Sequence, residues 1–269
     1  MEMTHMKVGV YVDVSNVAQN GGFGMQYDVL RRFACRNYGI AMRLNAYVAY
    51  NEEMAEQNEE YRLKNESFHS ILRDFGFKVI VKPVRFFYDE HGNRYGKSNA
   101  DLDMAVDALT QSERLDYVLI VSGDGDFVQV IRALQNKGCR VEVLAFENVA
   151  HILRKEADVF TSGYLVPELV PIKNNKKNQR VRGICYSYYV KKGYGFMRYI
   201  NKLSGGLWIT DSRESESPFA TAFVHKSNFP DNIKLNQLPN RRQIFEFDLV
   251  EHKDKGYQAE NIKLIYEYK

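Results

Sequence analysis

Three groups of acidic side chains have the types and positions needed to bind a metal ion. Asp13 ends an apolar run and is followed by Asn16 in the segment DVSN. Asp124 and Asp126 lie in the turn SGDGDF, directly after the apolar segment DYVLIVS. Asp101 opens the segment DLDMAVDAL, whose apolar spacing predicts a helix.

The predicted positions of these acids imply a divalent cation. The carboxyl ends of the strands in an open parallel α/β sheet share one edge, and ligands bind there. Two carboxylates about 6 Å apart repel by roughly 2–3 kcal/mol at an effective dielectric of about 20, and a cation offsets that repulsion. Since no His or Cys accompanies the aspartates, we expect Mg²⁺ or Mn²⁺ rather than zinc. Such a site suits phosphodiester hydrolysis by metal-activated water.

Most of these acids also have a purely structural explanation. Asp126 stands three residues before a glutamine, so it could simply cap the helix that follows. Asp101 could cap its own helix, and Asp103 and Asp107 could form a solvated helix face. Asp13 is harder to explain in this way, because an ionisable side chain at the end of a buried strand needs a reason to be there.

Strand-like and helix-like segments alternate through the first half of the chain, which predicts a parallel α/β sheet. The predicted strands cover residues 7–14, 41–50, 77–81, 116–122 and 140–145, and the predicted helices cover residues 27–38, 52–75, 101–110, 127–137 and 148–155. A turn is expected at His91-Gly92-Asn93. In the helix 101–110, one apolar face is predicted for Leu102, Ala105, Val106 and Leu109.

The second half contains short aromatic and β-branched runs separated by Gly, Asn, Pro and Asp, which predicts an all-β barrel. The runs cover residues 183–189, 195–200, 222–225, 244–251 and 260–266. Residues 171–180 are polar and basic, so they are typical of a linker. We therefore predict an α/β domain over residues 1–165, a basic linker over 166–180 and a barrel over 181–269.

Aromatic residues in the second half predict a surface for single-stranded nucleic acid. Tyr194 and Phe196 alternate with glycines in KGYGFM and share one face of a strand. Phe223 and His225 do the same in FVHK. The nearby candidates are Tyr188 and the cations Lys192, Arg198 and Lys226. Aromatic faces flanked by cations are typical of a single-strand groove, where each stacked base contributes about 1–3 kcal/mol. The same rings could fill a barrel core, but two runs with interleaved cations favour binding.

The first half resembles the NYN branch of the PIN-like nucleases, including the LabA-like proteins. The resemblance spans roughly residues 6–165 and rests on DVSN, DLDMAVDAL and SGDGDF in that order. It implies a PIN-like α/β fold, acidic residues that bind Mg²⁺ or Mn²⁺, and RNA cleavage by the active members. The residues carried over are the acids Asp13, Asp101, Asp124 and Asp126, with Asn16 as their polar partner. Many members have a lysine where this chain has Ser98, with Lys97 one residue further away.

The second half resembles a cold-shock domain, which is a five-stranded OB-type barrel. The segments Gly183-Ile184, KGYGFM, FVHKSNF and RRQIFEFDLVEHKDKGYQAENIKLI follow the family's order. The resemblance implies that single-stranded RNA or DNA stacks on Tyr188, Tyr194, Phe196, Phe223 and His225. Ser187 stands where the family usually has a stacking Trp, and residues 201–221, with Trp208, form a longer insertion.

Composition and charge narrow the class of protein. The chain is 45% hydrophobic and 26% charged, which excludes collagen-like, disordered and coiled-coil proteins. No apolar run is long enough to span a membrane, no signal-peptide pattern is present, and three distant cysteines make neither a disulfide framework nor a zinc site. We expect a cytoplasmic protein. Residues 1–165 hold 19 Lys and Arg against 23 Asp and Glu, whereas residues 166–269 hold 18 against 11, which favours a polyanion on the second half.

These observations predict a metal-dependent endoribonuclease that cuts single-stranded RNA held by a cold-shock-like barrel. The alternative is a non-catalytic RNA-binding regulator with a PIN-like domain. A Toprim-like nuclease would need a Glu where the first strand ends in Asp13. A haloacid-dehalogenase-like phosphatase would need a second Asp where Ser15 stands.

Overall fold

The computed structural model describes residues 5–36, 38–172, 178–203, 206–207, 209–252 and 256–269. These residues divide into two compact units. The first unit contains the chain up to Phe23 together with Tyr27–Thr161, and the second contains Gly24–Gln26 together with Ser162–Lys269. Within the described ranges, no helix is long and apolar enough to cross a membrane. The three cysteines are free thiols.

The first unit is built on a six-stranded sheet. The six strands of the sheet are β1 (Lys7–Asp13), β2 (Ile40–Tyr50), β3 (Lys78–Pro83), β6 (Tyr117–Val121), β7 (Arg140–Ala145) and β8 (Val159–Ser162), and two further strands are β4 (Arg85–Tyr88) and β5 (Arg94–Lys97). The sheet order is β3-β2-β1-β6-β7-β8, and β4 and β5 form a separate antiparallel hairpin. The neighbouring strands from β3 to β7 are parallel. The predicted α/β fold class is therefore confirmed.

Seven helices are described in this unit. They are α1 (Val14–Gln19), α2 (Tyr27–Ala34), α3 (Glu52–Gln57), α4 (Glu59–Asp74), α5 (Ala100–Gln111), α6 (Val128–Asn136) and α7 (His151–Glu156). The single helix predicted over residues 52–75 is two helices, because the side chain of Asn58 accepts the N–H of Tyr61 at 2.9 Å and begins α4. The short elements α1 and β8 were not predicted.

The central strands are buried on both faces, as parallel strands covered by helices must be. Every residue of β6, and every residue of β1 after Lys7, is buried. The helix α2 contacts β1 and β2, and the other face of the sheet shares a core with α5 and α6. Large side chains such as Tyr11, Tyr47 and Ile120 are fully buried, and burial of each large aliphatic side chain stabilises the fold by about 1.5–3 kcal/mol.

The apolar face predicted for α5 was wrong in part. The buried residues are Ala100, Met104 and Ala108, whereas Leu102 and Val106 are 61% and 52% exposed. Two polar contacts with the sheet explain the rotation of the helix. The hydroxyl of Tyr47 donates to Asp107 at 2.7 Å, and the hydroxyl of Tyr11 donates to Gln111 at 3.2 Å. These contacts turn the polar side chains of α5 toward two buried tyrosines and leave the larger aliphatic residues outside.

The second unit contains a closed five-stranded barrel, which confirms the predicted second fold class and is consistent with an OB-type domain. Its strands are β9 (Gln179–Tyr189), β10 (Tyr194–Ile200), β11 (Phe219–His225), β12 (Gln243–His252) and β13 (Gly256–Glu267), in the order β10-β11-β13-β12-β9. Side chains of β10 alternate between buried and half-buried positions. The inward set packs Met197 and Tyr199 against Phe245 and Phe247.

The predicted linker ends earlier than expected. Gln179 and Arg180 belong to β9. The guanidinium of Arg180 donates to Glu246 and to Asp248 at 2.7 Å each, so this residue is fixed to the barrel wall. Residues 173–177 of the predicted linker lie outside the described residues, as does Trp208 of the insertion.

Candidate functional site

Asp13 is the centre of the candidate acidic site. It is the last residue of β1 and the N-cap residue of α1, where its Oδ1 accepts the N–H of Asn16 at 3.0 Å. Its side chain is nearly buried, with 9% of the residue exposed. Burial raises the pKa of Asp13, the N–H of Asn16 lowers it, and the carboxylates of Asp101 and Asp124 raise it again. Asp101 and Asp124, both predicted from the sequence, therefore lie close enough to Asp13 to act on its carboxylate.

The sheet topology explains why these distant residues meet. Strands β1 and β6 are parallel neighbours, with Val12 opposite Val121, so the segments after both strands leave the sheet side by side. The chain passes from β1 outward to β2 and β3, and then returns to β6 on the other side of β1. Such a reversal of strand order is where open α/β sheets bind ligands.

Asn16, in α1, connects the end of β1 to the loop that carries Asp124. Its Oδ1 accepts the backbone N–H of Gly123 at 2.9 Å. The carbonyl of Gly123 in turn accepts the N–H of Ala150 at 3.0 Å, just before α7. The polar partner inferred from the resemblance is thus a side chain that holds the loop of Asp124 beside the end of β1.

Asp124 and Asp126 have different environments. Asp124 is half-buried and begins a short 3₁₀ turn (Gly125–Phe127), where its carboxylate accepts the N–H of Asp126 at 3.0 Å. Asp126 is exposed. The possibility that Asp126 caps the following helix was wrong, because the N-cap residue of α6 is Phe127 and no side chain caps that helix.

The structural explanations offered for the acids of α5 also fail. The N-cap residue of α5 is Asn99, so Asp101 does not cap the helix. Asp103 accepts a hydrogen bond from the Lys82 ammonium at 2.5 Å, and Asp107 accepts one from Tyr47. Asp103 and Asp107 thus have protein partners rather than forming a solvated face, and Asp101 is left as the acid of α5 that acts on Asp13.

The acids fit a divalent cation in chemistry and in charge. All donors are carboxylate oxygens, which Mg²⁺ and Mn²⁺ prefer. The pKa of Asp13 is raised first by burial and then by the carboxylates of Asp101 and Asp124, and a bound cation would offset the negative charge of all three. Across the residues that the structure describes, however, no three acidic, His or Cys side chains are arranged to hold one metal ion. The fit therefore rests on donor type and charge, not on ligand geometry.

Tyr27 is a neighbour of the site that the sequence analysis missed. It opens α2 and is buried. Burial raises the pKa of the Tyr27 hydroxyl, and the charge of Asp13 raises it further. Nothing in the sequence marks this residue, since Tyr27 appears there only as the first position of an amphipathic helix.

The barrel brings four of the predicted aromatic residues onto one outward face. In the register of the strands, Tyr194 lies opposite His225, and Phe196 lies opposite Phe223. The ring of Tyr194 is 5.7 Å from that of Phe223, and the rings of Phe196 and Phe223 are 6.1 Å apart. Directly paired residues of antiparallel strands share a face, so these half-buried side chains form one surface, which we call the barrel aromatic face.

Tyr188 does not belong to this face, and its predicted role as a stacking residue was wrong. It lies opposite Gly195, is buried in the barrel core, and packs edge-on against Phe229 at 5.9 Å. Tyr189 takes its place, since it is 50% exposed and its ring is 5.2 Å from that of Tyr194. Successive residues of β9 point to opposite sides of the barrel wall, so only one of the two tyrosines can face outward. Which one does so depends on the register of β9, which the sequence does not reveal.

The predicted cations are not equivalent. Lys192 is exposed in the turn between β9 and β10, and Lys226 is exposed directly after β11. The guanidinium of Arg198 lies 4.6 Å from the ring centre of Tyr186 and 4.7 Å from that of Phe219. Arg198 is therefore packed between two rings at the end of the aromatic face, where burial lowers its pKa.

We call the group of Asp13, Asp101, Asp124 and Asp126, beside the ends of β1 and β6, the acidic edge. The fold is a PIN-like α/β domain, which carries this edge, followed by an OB-type barrel. The family model for the NYN domain matches residues 7–168. This chain therefore belongs to the NYN domain family, a PIN-like family related to RNA nucleases.

This chain is similar to a protein of Synechococcus elongatus and to a solved structure from Vibrio parahaemolyticus. Low amplitude and bright protein LabA of Synechococcus elongatus is 26% identical over 159 residues, which are 56% of this chain and 81% of that protein. A crystal structure of a Vibrio parahaemolyticus protein of unknown function is 24% identical, with a TM-score of 0.48, and covers 60% of this chain and 95% of its own.

Proposed function

We propose that this protein is a metal-dependent endoribonuclease that cuts single-stranded RNA. One observation carries the proposal: the nearly buried Asp13 has a pKa raised by burial and by the carboxylates of Asp101 and Asp124. A bound cation would offset the repulsion between these carboxylates, and perturbed groups of this kind cluster at functional sites. Membership in the NYN family supports the same activity.

The acids of the acidic edge would bind the metal ion, and Asn16 would hold one of them in position. Asp13, Asp101 and Asp124 would bind Mg²⁺ or Mn²⁺ through their oxygens, with the exposed Asp126 as a fourth acid. The bound cation would supply positive charge that activates water and stabilises the phosphate. Asn16 would keep the loop of Asp124 in place through Gly123. Water would add to phosphorus as the bond to the 3′ oxygen breaks, leaving a 5′-phosphate and a 3′-hydroxyl.

The barrel would hold the RNA. Tyr189, Tyr194, Phe196 and Phe223 offer adjoining rings on one face, and each stacked base would contribute about 1–3 kcal/mol. His225 lies at the edge of this face, and Lys192 and Lys226 follow it in the turns. The excess of basic over acidic residues in the second half of the chain would attract the phosphate backbone.

A second candidate is a non-catalytic RNA-binding regulator. The absence of a ligand group of three side chains, within the part of the chain that is described, favours this alternative. It predicts RNA binding without metal-dependent turnover.

The deciding experiment is a cleavage assay with purified protein, Mn²⁺ and end-labelled single-stranded RNA. Wild type should cut, EDTA should stop cleavage, and Asp13→Asn and Asp124→Asn should abolish it while keeping RNA affinity. Asp74→Asn, at an exposed position at the end of α4, is the matched control and should cut normally. RNA binding without any cleavage would support the regulator, and cleavage unaffected by both site variants would contradict the proposed active site.

A further inference from the structure

The hairpin of β4 and β5 has one face that combines cations and aromatic rings. Arg85 pairs with Lys97 and Phe87 pairs with Tyr95, so these four side chains share a face. The rings of Phe87 and Tyr95 are 5.9 Å apart with a tilt of 31°. Both are about half exposed, at 45% and 51%. We call these four residues the hairpin face.

The hairpin face opens onto a cavity beside the acidic edge. The cavity has a volume of about 360 Å³ and is lined by Lys82, Pro83, Arg85, Phe87, Lys97 and Asn99. Asn99 begins α5, and Asp101 follows two residues later. Lys82 is bound to Asp103 in the first turn of the same helix. The cavity is therefore adjacent to the helix end that carries an acid of the candidate site.

The cations of the hairpin face are available to a ligand. Arg85 and Lys97 are exposed, and neither has an ion-pair partner among the described residues. The surrounding first half of the chain has more acidic than basic residues, so two unpaired cations beside Lys82 form a local positive patch. A patch of this kind is complementary to phosphate.

The side chains on the opposite face of the hairpin make contacts within the protein. The guanidinium of Arg94 lies 3.7 Å from the ring centre of Phe86 and is paired with Glu53. A side chain at position 96 would clash with Val84, which explains Gly96. One face of the hairpin therefore packs against the fold. The hairpin face, with its two cations and two exposed rings, has no such packing role.

We infer that the hairpin face binds single-stranded RNA, with phosphates at Arg85, Lys97 and the cavity, and bases stacked on Phe87 and Tyr95. Alternating phosphate and base contacts are what a single strand offers, and both are sequence-tolerant. This inference rests on the proposed function and extends it, because it gives the NYN domain its own RNA contact next to the acids. An acidic peptide would satisfy the cations but would not need the paired rings.

The first test is photocrosslinking of the full chain in EDTA, so that cleavage does not interfere. An oligouridylate carrying 4-thiouridine should form adducts within residues 85–97 as well as in the barrel. Binding is then measured by fluorescence anisotropy over a range of salt. Phe87→Ala/Tyr95→Ala should weaken binding about 5-fold or more. Arg85→Ala/Lys97→Ala should reduce the slope of log affinity against log salt by about 1.4, since each phosphate contact on a single strand contributes about 0.7.

Matched controls separate the hairpin face from general effects. Lys78→Ala/Arg114→Ala removes the same charge from two exposed positions, the first residue of β3 and the turn before β6, at the opposite edge of the sheet. Tyr88→Ala removes an exposed ring from the other face of the hairpin. Both controls should bind RNA as wild type does. If the ring variant does not fold, the exposed charge reversal Arg85→Glu/Lys97→Glu decides in its place.

Adducts confined to the barrel, or hairpin variants that bind like their controls, would overturn the inference. Binding of an acidic peptide, but no RNA, at residues 85–97 would also overturn it. The outcome is independent of catalysis, because binding is measured without metal. If the protein cuts RNA with Mn²⁺ but makes no contact through the hairpin, only the inference about the hairpin face is wrong. If the hairpin binds RNA but no cleavage occurs, only the proposed nuclease activity is wrong.

Discussion

The side chain of Asn16 accepts the backbone N–H of Gly123 at 2.9 Å, although the two residues are 107 positions apart in the chain. Asn16 follows Asp13 at the end of β1, and Gly123 precedes Asp124 after β6. A single hydrogen bond therefore joins the segments that carry Asp13 and Asp124, whose carboxylate raises the pKa of Asp13. Its loss should disturb the site before it disturbs the fold.

Asn16→Leu tests this relationship, because it keeps the size of the side chain and removes the acceptor. The N–H of Gly123 would lose its partner at a cost of about 1–3 kcal/mol. We expect single-turnover cleavage to fall strongly while RNA affinity stays unchanged. Asn16→Asp keeps an acceptor oxygen but adds charge beside Asp13, so its cleavage rate should lie between those of wild type and Asn16→Leu. A folded Asn16→Leu protein that cuts at the wild-type rate would contradict a positioning role.

Asp13→Asn should stabilise the metal-free protein at neutral pH. The pKa of Asp13 in the fold is raised above its ordinary value, chiefly by burial. The fold therefore prefers the protonated form, and it loses stability as pH rises from the ordinary pKa through the raised one. The variant avoids this loss and keeps an oxygen for the N–H of Asn16.

Thermal melting in EDTA checks this prediction. Asp13→Asn should melt above wild type at pH 7, and the difference should shrink as the pH is lowered toward 4. Added Mn²⁺ should raise the melting temperature of wild type but not that of the variant. An equal difference at both pH values would show that the carboxylate charge is not the cause.

Glu142→Gln should strongly destabilise the first unit. Glu142 is fully buried on β7, where Arg36 donates to it at 2.6 Å, Thr161 at 2.5 Å, and Tyr117 through its hydroxyl. Removing the charge leaves the Arg36 cation buried without its counter-ion, which costs about 3–5 kcal/mol. Urea unfolding measures the change.

The exposed pair of Arg132 and Glu156 provides the control for this experiment. Its atoms are 2.7 Å apart, but water reaches both side chains. Glu156→Gln should shift the unfolding midpoint far less than Glu142→Gln, since exposed pairs contribute little. Equal shifts would mean that the buried network does not stabilise the fold.

The barrel aromatic face should carry RNA affinity through individual rings. Phe196→Ala and Tyr189→Ala should each weaken binding by about 1–3 kcal/mol per lost stacked base. Tyr188→Phe keeps a ring in the core and should leave affinity unchanged, since Tyr188 lies inside the barrel. Fluorescence anisotropy in EDTA measures all three. A loss with Tyr188→Phe that matches the surface variants would contradict the assignment of the outward face.

The sequence predicts most elements because apolar periodicity is local. The strand over residues 140–145 matches β7, and the alternation in KGYGFM matches the outward and inward sides of β10. The break at Asn58 was missed because a capping side chain can interrupt a continuous helical pattern without a glycine or proline. The exposure of Leu102 depends on contacts of α5 with buried tyrosines, and no local pattern encodes these contacts.

The acidic site was partly predictable for the same reason. Asp13 and Asp124 could be found because each ends or follows an apolar strand, and parallel strands share a carboxyl edge. Tyr27 could not be found, because its place near Asp13 follows from how α2 packs. The choice between Tyr188 and Tyr189 likewise needs the register of β9 against β10, which depends on long-range pairing.

Anomalous scattering from crystals soaked in Mn²⁺ tests the central claim most directly, because it locates the ion without any substrate. We expect a manganese peak bounded by the carboxylates of Asp13, Asp101 and Asp124, and no such peak in crystals of Asp13→Asn. A well-ordered wild-type crystal without a peak at the carboxyl ends of β1 and β6, or with manganese bound only elsewhere, would contradict it.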